Sequence, residues 1–197
     1  MSQHRQTLSE AAIRKATTEW LARQVGSSHL IVNELAVENG GARVDIAVIG
    51  SRLAAYELKS DFDNLDRLAR QMHAFQRVFD SLTVVTTAAF LVTVEKLLPR
   101  WWGLAEAVIS EDGTTTIVER RAPSTNPRQE MLDLVALLWK DEALSELRRV
   151  TKSPVPSKAT RTEIYQRLAA ELSSDELRAY VAETLRTRFS LRERAAV

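Results

Sequence analysis

Hydrophobic positions recur with two different periods along the 197-residue chain, and the changes of period mark its elements. From Thr7 to Gln24, Ile13, Ala16, Trp20 and Leu21 fall on one helical face. Ser9 or Thr7 can cap this helix and Gly26 ends it. Leu30 to Val37 and Ala42 to Ile49 read as strands joined through Asn39-Gly40-Gly41, a strong hairpin signal. A tight turn at Gly50-Ser51 sends the chain back in a third apolar run ending Tyr56-Glu57-Leu58-Lys59. Asp63 fits an N-cap, and Leu65, Leu68, Ala69, Met72 and Phe79 then mark a buried helical face. Ser81 to Thr87 predicts a buried strand, and Val92 to Leu98 a short helix stopped by Pro99. Ala105 to Ser110 and Thr114 to Glu119 predict a closing hairpin through Asp112-Gly113, and Gln129 to Val150 one long helix.

The best linker is Ser153-Pro154-Val155-Pro156-Ser157, which divides the chain into a domain over 1–152 and a helical appendage over 153–197. Thr160-Arg161-Thr162-Glu163 and Ser173-Ser174-Asp175-Glu176 are capping boxes that open two amphipathic helices. At about 12–15 residues each, such helices form no stable core alone and should dock on the main domain or a second subunit. Lys158, Arg161, Arg167, Arg186, Arg188, Arg192 and Arg194 make this tail basic. It serves to hold DNA, to form a dimer, or merely as a solvated structural tail.

Composition narrows the class. With 45% hydrophobic and 27% charged residues the chain is globular, not disordered. Its apolar runs are too short to span a bilayer, so no membrane partner is expected. The start, Met-Ser-Gln-His-Arg-Gln, lacks the apolar core of a signal peptide, and a cytoplasmic location is the default expectation. The absence of cysteine excludes disulfides, zinc–thiolate sites and iron–sulfur clusters. A net charge of +1 requires any nucleic-acid face to come from local clustering.

The chemistry gathers between Asp45 and Lys59. Side chains alternate along a strand, so Glu57 and Lys59 share a face, about 7 Å apart. If Asp45 reaches that face from the neighbouring strand, two carboxylates and an ammonium converge. Hard oxygen ligands beside a lysine suit Mg²⁺ or Mn²⁺ and a phosphate. Glu34, inside the first strand, either faces solvent or joins Asp45 as a further ligand. Arg43 lies two residues before Asp45, where it contacts phosphate or neutralises the acids. Glu10 and Glu19 on the first helix are acids that either reach the cluster or serve the helix alone, Glu10 by offsetting the dipole. The helix after Lys59 carries Gln71, functional or merely a surface residue, and one turn later Phe75, which fits the core. Arg67 and Arg70 on it either reach backbone phosphates or are only solvated. Trp101-Trp102 fits core packing better than base stacking.

Asp45 with Glu57-Leu58-Lys59 resembles the PD-(D/E)XK nuclease superfamily, with Val44 in place of the usual proline. Gln71 and Phe75 resemble the Q-x-x-x-Y element of its RecB-type members, with Phe for Tyr. The predicted order, helix, three strands, helix, strand, is that superfamily's shared αβββαβ core. Asn33-Glu34-Leu35, Arg43-Val44-Asp45, Tyr56 to Asp61, Arg67-Leu68 to Gln71 and Val78-Phe79-Asp80 also resemble a bacterial family of small PD-(D/E)XK-like proteins, some encoded in mobile elements. The Leu137-Leu138-Trp139 helix looks like that family's C-terminal half.

The resemblance implies an α/β, restriction-endonuclease-like fold, a mixed sheet flanked by helices with a helical C-terminal extension. It implies a Mg²⁺- or Mn²⁺-dependent deoxyribonuclease acting on DNA, with a homodimer as a possible assembly. Asp45, Glu57, Lys59 and Gln71 would be catalytic, Asp45, Glu57 and Glu34 metal ligands, and Arg43, Arg67 and Arg70 substrate contacts. A non-catalytic nucleic-acid-binding or assembly protein on the same fold is the alternative. Repair, restriction and the needs of a mobile element all stay open as its purpose.

Overall fold

A computed structural model describes residues 7–26 and 28–195. The side chains of Asn39 and of residues 192–195 are outside that description, so the expectations placed on residues 1–6, Arg192 and Arg194 fall there too.

The elements run α1 (Glu10–Gln24), β1 (Leu30–Val37), β2 (Ala42–Ile49), β3 (Leu53–Lys59), α2 (Leu68–Gln76), β4 (Ser81–Thr87), α3 (Leu91–Leu97), β5 (Gly103–Ile109) and β6 (Thr115–Arg121). Four further helices follow: α4 (Met131–Val135), α5 (Lys140–Val150), α6 (Arg161–Glu171) and α7 (Ser174–Ala195). The protein is α/β, and its six strands lie in one sheet in chain order. β1, β2 and β3 form an antiparallel meander, β3, β4 and β5 are parallel, and β6 returns antiparallel.

The two parallel steps need crossovers, which α2 and α3 provide. Alternation along the central strands feeds two cores. Val84 points to one cluster and Val85 to the other, as expected of strands buried on both faces. On one face α1 packs Ile13, Ala16 and Leu21 against Ile46, Leu58 and Val85. On the other face Leu68 and Phe75 of α2 share a single cluster with Leu134, Leu147, Ile164, Leu168, Val181 and Leu185 of α4 to α7. The C-terminal helices therefore dock on the sheet.

Three local expectations are corrected. Asp63 does not cap α2, whose N-cap position is Arg67 with no side-chain cap. Asp63 instead accepts from Ser60 N at 2.8 Å and Ser60 Oγ at 2.6 Å, closing the turn after β3. The helix expected over 129–150 is two, α4 and α5, broken before Trp139. Tyr165 Oη donates to Leu138 O and Arg188 Nη2 to Leu137 O, so docking of α6 and α7 takes up the carbonyls freed by the break. Finally, α7 has 22 residues, longer than the short helix expected there. Trp102 and Phe75 are core residues, each 1% exposed. No helix among the described residues is long and apolar enough to cross a membrane.

Candidate metal centre

The β2–β3 ladder pairs Ile49 with Leu53 through to Ile46 with Tyr56 and goes no further. One residue beyond, the Asp45 side chain takes over from the backbone, with Oδ2 accepting from Leu58 N at 2.8 Å. The carboxylate is thus locked at the point where the two strands part. Glu57 and Lys59 lie on the α2 face of β3, and Lys59 Nζ donates to Glu57 Oε1 at 2.8 Å and to Gln71 Oε1 at 3.0 Å. Gln71 Nε2 donates to the same Glu57 oxygen at 2.5 Å. The three side chains form a closed triangle, with Glu57 2% and Lys59 4% exposed.

Glu57 Oε2, the other oxygen, is buried and has no hydrogen-bond partner. Burial pushes the Glu57 carboxyl up to about 8, and the nearby Asp45 charge adds to the shift while Lys59 opposes it. A buried acid with one oxygen tied and one bare, beside a second carboxylate, is poised to accept a proton or a cation.

Glu34 arrives by a backbone irregularity. It sits in β1 between Asn33, paired with Ile46, and Leu35, paired with Val44, and its φ is 60°. Such a left-handed residue inside a strand is rare for a side chain other than glycine or asparagine. Its effect is a change of phase: Val32, Leu35 and Val37 all face the α2-side core, while Asn33 and Glu34 are consecutive exposed residues. Glu34 thereby turns toward α1. Glu10, Glu34 and Asp45 each offer an oxygen within 4.8 Å of one another, a metal-capable trio.

Arg14 sits among them. Its Nη2 lies 2.6 Å from Glu10 Oε1, 3.0 Å from Glu34 Oε1 and 2.9 Å from Asp45 Oδ1, and its Nη1 donates to the Asp45 carbonyl at 2.7 Å. The helix start is fixed by Asp61, which accepts from Leu8 N and from Thr87 Oγ1, both at 2.7 Å. Neither Arg14 nor Asp61 was assigned a role from the sequence. The Glu10–Arg14 spacing of four on one helix was the available signal for the former.

The remaining candidates divide. Arg43 pairs with Glu34 Oε2 at 3.2 Å and is exposed at the rim. Arg70 reaches Gly41 O at 3.4 Å, and Arg67 is exposed at the start of α2. Glu19 is not in the trio; it lines a depression with Lys15, Thr114 and Thr115.

A profile of the family described as Bacteriophage P4 protein cII matches residues 3–197. The chain belongs to the bacteriophage P4 protein cII family. Protein cII of Enterobacteria phage P4 is 36% identical over 100 residues, which is 50% of this chain and 38% of that protein. The match thus spans about two fifths of that cII relative. A solved structure of a Silicibacter pomeroyi protein of unknown function superposes with a TM-score of 0.48 at 19% identity, covering 71% of this chain and 86% of that one.

Proposed function

We propose that this cII-family chain is a metal-dependent nuclease built on a restriction-endonuclease-like core. The observation that carries the reading is the convergence of Asp45, Glu57 and Lys59 where β2 and β3 part, with Glu57 Oε2 buried and unpartnered. The order α1, β1, β2, β3, α2, β4 fits the αβββαβ core, and Gln71, expected to position substrate, lies at the site through contacts with both Glu57 and Lys59.

The donor set suits Mg²⁺ or Mn²⁺: carboxylate oxygens only, with one of them otherwise orphaned in the interior. Asp45, Glu57 and Glu34 would hold the cation, and Glu10, the third acid of the trio with Glu34 and Asp45, is a further candidate ligand. When bound, such an ion supplies Lewis-acid charge to a phosphoryl oxygen and acidifies a neighbouring water. Lys59, held by Glu57 and Gln71, places its ammonium against the charge that grows on the phosphate in the transition state, or orients the attacking water. Gln71 keeps both partners in position. Arg43, Arg67 and Arg70 surround the site as exposed cations that meet the backbone phosphates of DNA.

The test is cleavage of supercoiled, linear and single-stranded DNA with Mg²⁺, Mn²⁺ or chelator, beside Lys59→Ala and Asp45→Ala. Lys59→Ala should bind metal and lose about 10²–10³ of turnover, the scale of removing one group that stabilises transition-state charge. Asp45→Ala should lose metal binding as well. Cutting that survives chelator, or equal metal occupancy and activity in Asp45→Ala, sinks the assignment.

One observation favours a second reading. Arg14 already pairs with Glu10, Glu34 and Asp45 from within, so a protein cation sits among the acids, an arrangement suited to a non-catalytic nucleic-acid-binding protein on the same fold. DNA binding without cleavage under every metal condition selects that reading.

A further inference from the structure

The acidic trio does not end at Glu34. The same residue opens a groove of about 380 Å³ between the edge strand β1 and the C-terminal helices, bounded by Gly40 on one side and Trp139, Arg161, Arg188 and Phe189 on the other. Its size falls in the lower range of ligand clefts, about 300–1,000 Å³. α7 begins at the opposite end of the sheet, where Asp175 pairs with Arg52 beside the β2–β3 turn. From Ser174 the helix rises about 21 Å to Arg188, and brings Arg188 and Phe189 beside Glu34 of β1.

The far wall is a prepared platform. Trp139 is 52% exposed although it is among the largest side chains of the protein. The Arg188 guanidinium lies 4.3 Å from the centroid of its ring. Arg188 is itself fixed by Glu142 and by the Leu137 carbonyl, so the stack rests on the break between α4 and α5. Trp139 N donates to Glu142 Oε2 at 2.6 Å, which fixes the backbone at the ring's root. Arg161, the first residue of α6, is exposed on the same groove.

An aromatic ring stacked on a largely buried cation, next to an exposed cation, is the pairing that single-stranded nucleic acid uses: bases stack and phosphates pair. A duplex keeps its bases stacked inside and offers none to Trp139. Resting on the nuclease reading of the adjoining site, we propose that this groove seats an unpaired stretch of polynucleotide next to the phosphate that would be drawn to a cation at Asp45 and Glu57. One base lies on Trp139 and a backbone phosphate meets Arg161. The C-terminal helices thereby become part of the binding site.

The experiment uses the full chain with Ca²⁺ in place of Mg²⁺, and measures fluorescence anisotropy of a labelled single-stranded oligonucleotide and of its duplex. Wild type should prefer the single strand. Trp139→Ala should weaken single-strand binding about 5- to 150-fold, the range for loss of one stacked base, and Trp139→Phe should restore most of it. Arg161→Glu should weaken it and flatten its salt dependence. The Arg161 variant puts an acid in the first turn of α6, where the dipole favours it, so it carries the test alone if Trp139→Ala does not fold. Single-strand binding unchanged in both variants, a wild type that binds no single strand, or a duplex preference insensitive to Trp139 overturns the proposal. Hydrolysis of bis(p-nitrophenyl) phosphate by wild type against Lys59→Ala reports the metal centre separately. Single-strand binding that depends on Trp139, without diester hydrolysis, refutes the nuclease reading and leaves the groove standing.

Discussion

Arg14 grips Asp45 at both ends, through the backbone carbonyl at 2.7 Å and through Oδ1 at 2.9 Å. Asp45 Oδ2 is meanwhile committed to Leu58 N at 2.8 Å. Any cation that takes Asp45 as a ligand must therefore share an oxygen with the Arg14 guanidinium or the Leu58 N–H, or displace one of them, and in each case the guanidinium charge lies close by. Arg14→Gln keeps a hydrogen-bonding side chain and removes the competing charge. We expect it to bind Mn²⁺ at least about fivefold more tightly, since two charges 4 Å apart contribute ~1 kcal/mol even in bulk water. In chelator the same variant should be less stable than wild type, because three carboxylates are left facing one another. Titration calorimetry with Mn²⁺ decides it. Weaker metal binding in Arg14→Gln would make Arg14 an organiser of the ligands and not their competitor.

Glu57 gives the apo protein a pH dependence of definite sign. Its carboxyl is pushed from 4.5 up to about 8, mainly by burial, so the folded state holds a proton that the unfolded chain has released. Stability from this group is complete below about 4.5 and is lost as pH rises toward about 8. With chelator present, the wild type minus Glu57→Gln difference in urea unfolding free energy should fall between pH 5 and 8. A difference that rises over this window would mean that Glu57 is ionised in the fold. Saturating Mn²⁺ should remove the slope, because the cation then takes the place of the proton.

Much of this was legible in the chain. Strand boundaries β1, β2 and β4 coincide with the apolar runs, since alternation and Asn/Gly turns are local signals. The placement of Glu57 and Lys59 on one face followed from strand period, and that of Gln71 beside them from the resemblance of its helix to the Q-x-x-x-Y element. What was hidden was tertiary. The break before Trp139 depends on Tyr165 and Arg188, 27 and 51 residues away from the carbonyls they meet. Asp63 closes the Ser60 turn instead of capping α2, which begins at Leu68 with no side-chain cap. For Arg14 only the pairing with Glu10 had a local signal, because its partners Glu34 and Asp45 lie 20 and 31 residues on.

Asp61 ties three elements together without touching the acids. Its two oxygens hold Leu8 N before α1 and Thr87 Oγ1 at the end of β4, and its own N donates to Leu8 O at 3.2 Å. Asp61→Ala leaves a donor on each side short of a partner, and should cost about 1–3 kcal/mol. The consequence for the site is loosening of the α1 start that carries Glu10 and Arg14. Amide exchange at residues 8–14 should rise in Asp61→Ala more than elsewhere. Uniform exchange with unchanged stability would show that α1 is held by its apolar face alone.

Glu34 pays for its position in backbone conformation. A left-handed residue with a side chain costs roughly 1–2 kcal/mol, and asparagine tolerates that region better than glutamate does. The fold accepts this at Glu34, φ 60°, where the reversal of phase turns the carboxylate toward Arg14 and Asp45. Strain of this kind is characteristic of functional positions. Glu34→Asn should therefore match or exceed wild type in stability, by up to about 1 kcal/mol, while binding Mn²⁺ more weakly. Glu34→Val removes the same charge but brings a β-branched side chain to positive φ, and should be less stable than Glu34→Asn by about 1–2 kcal/mol. Because both variants lose the pairs with Arg14 and Arg43, their difference isolates the backbone term. Urea unfolding in chelator measures it. Equal stability of the two variants would mean that β1 relaxes to ordinary strand geometry once the carboxylate is gone, and that the ion pairs with Arg14 and Arg43 hold the irregularity in place.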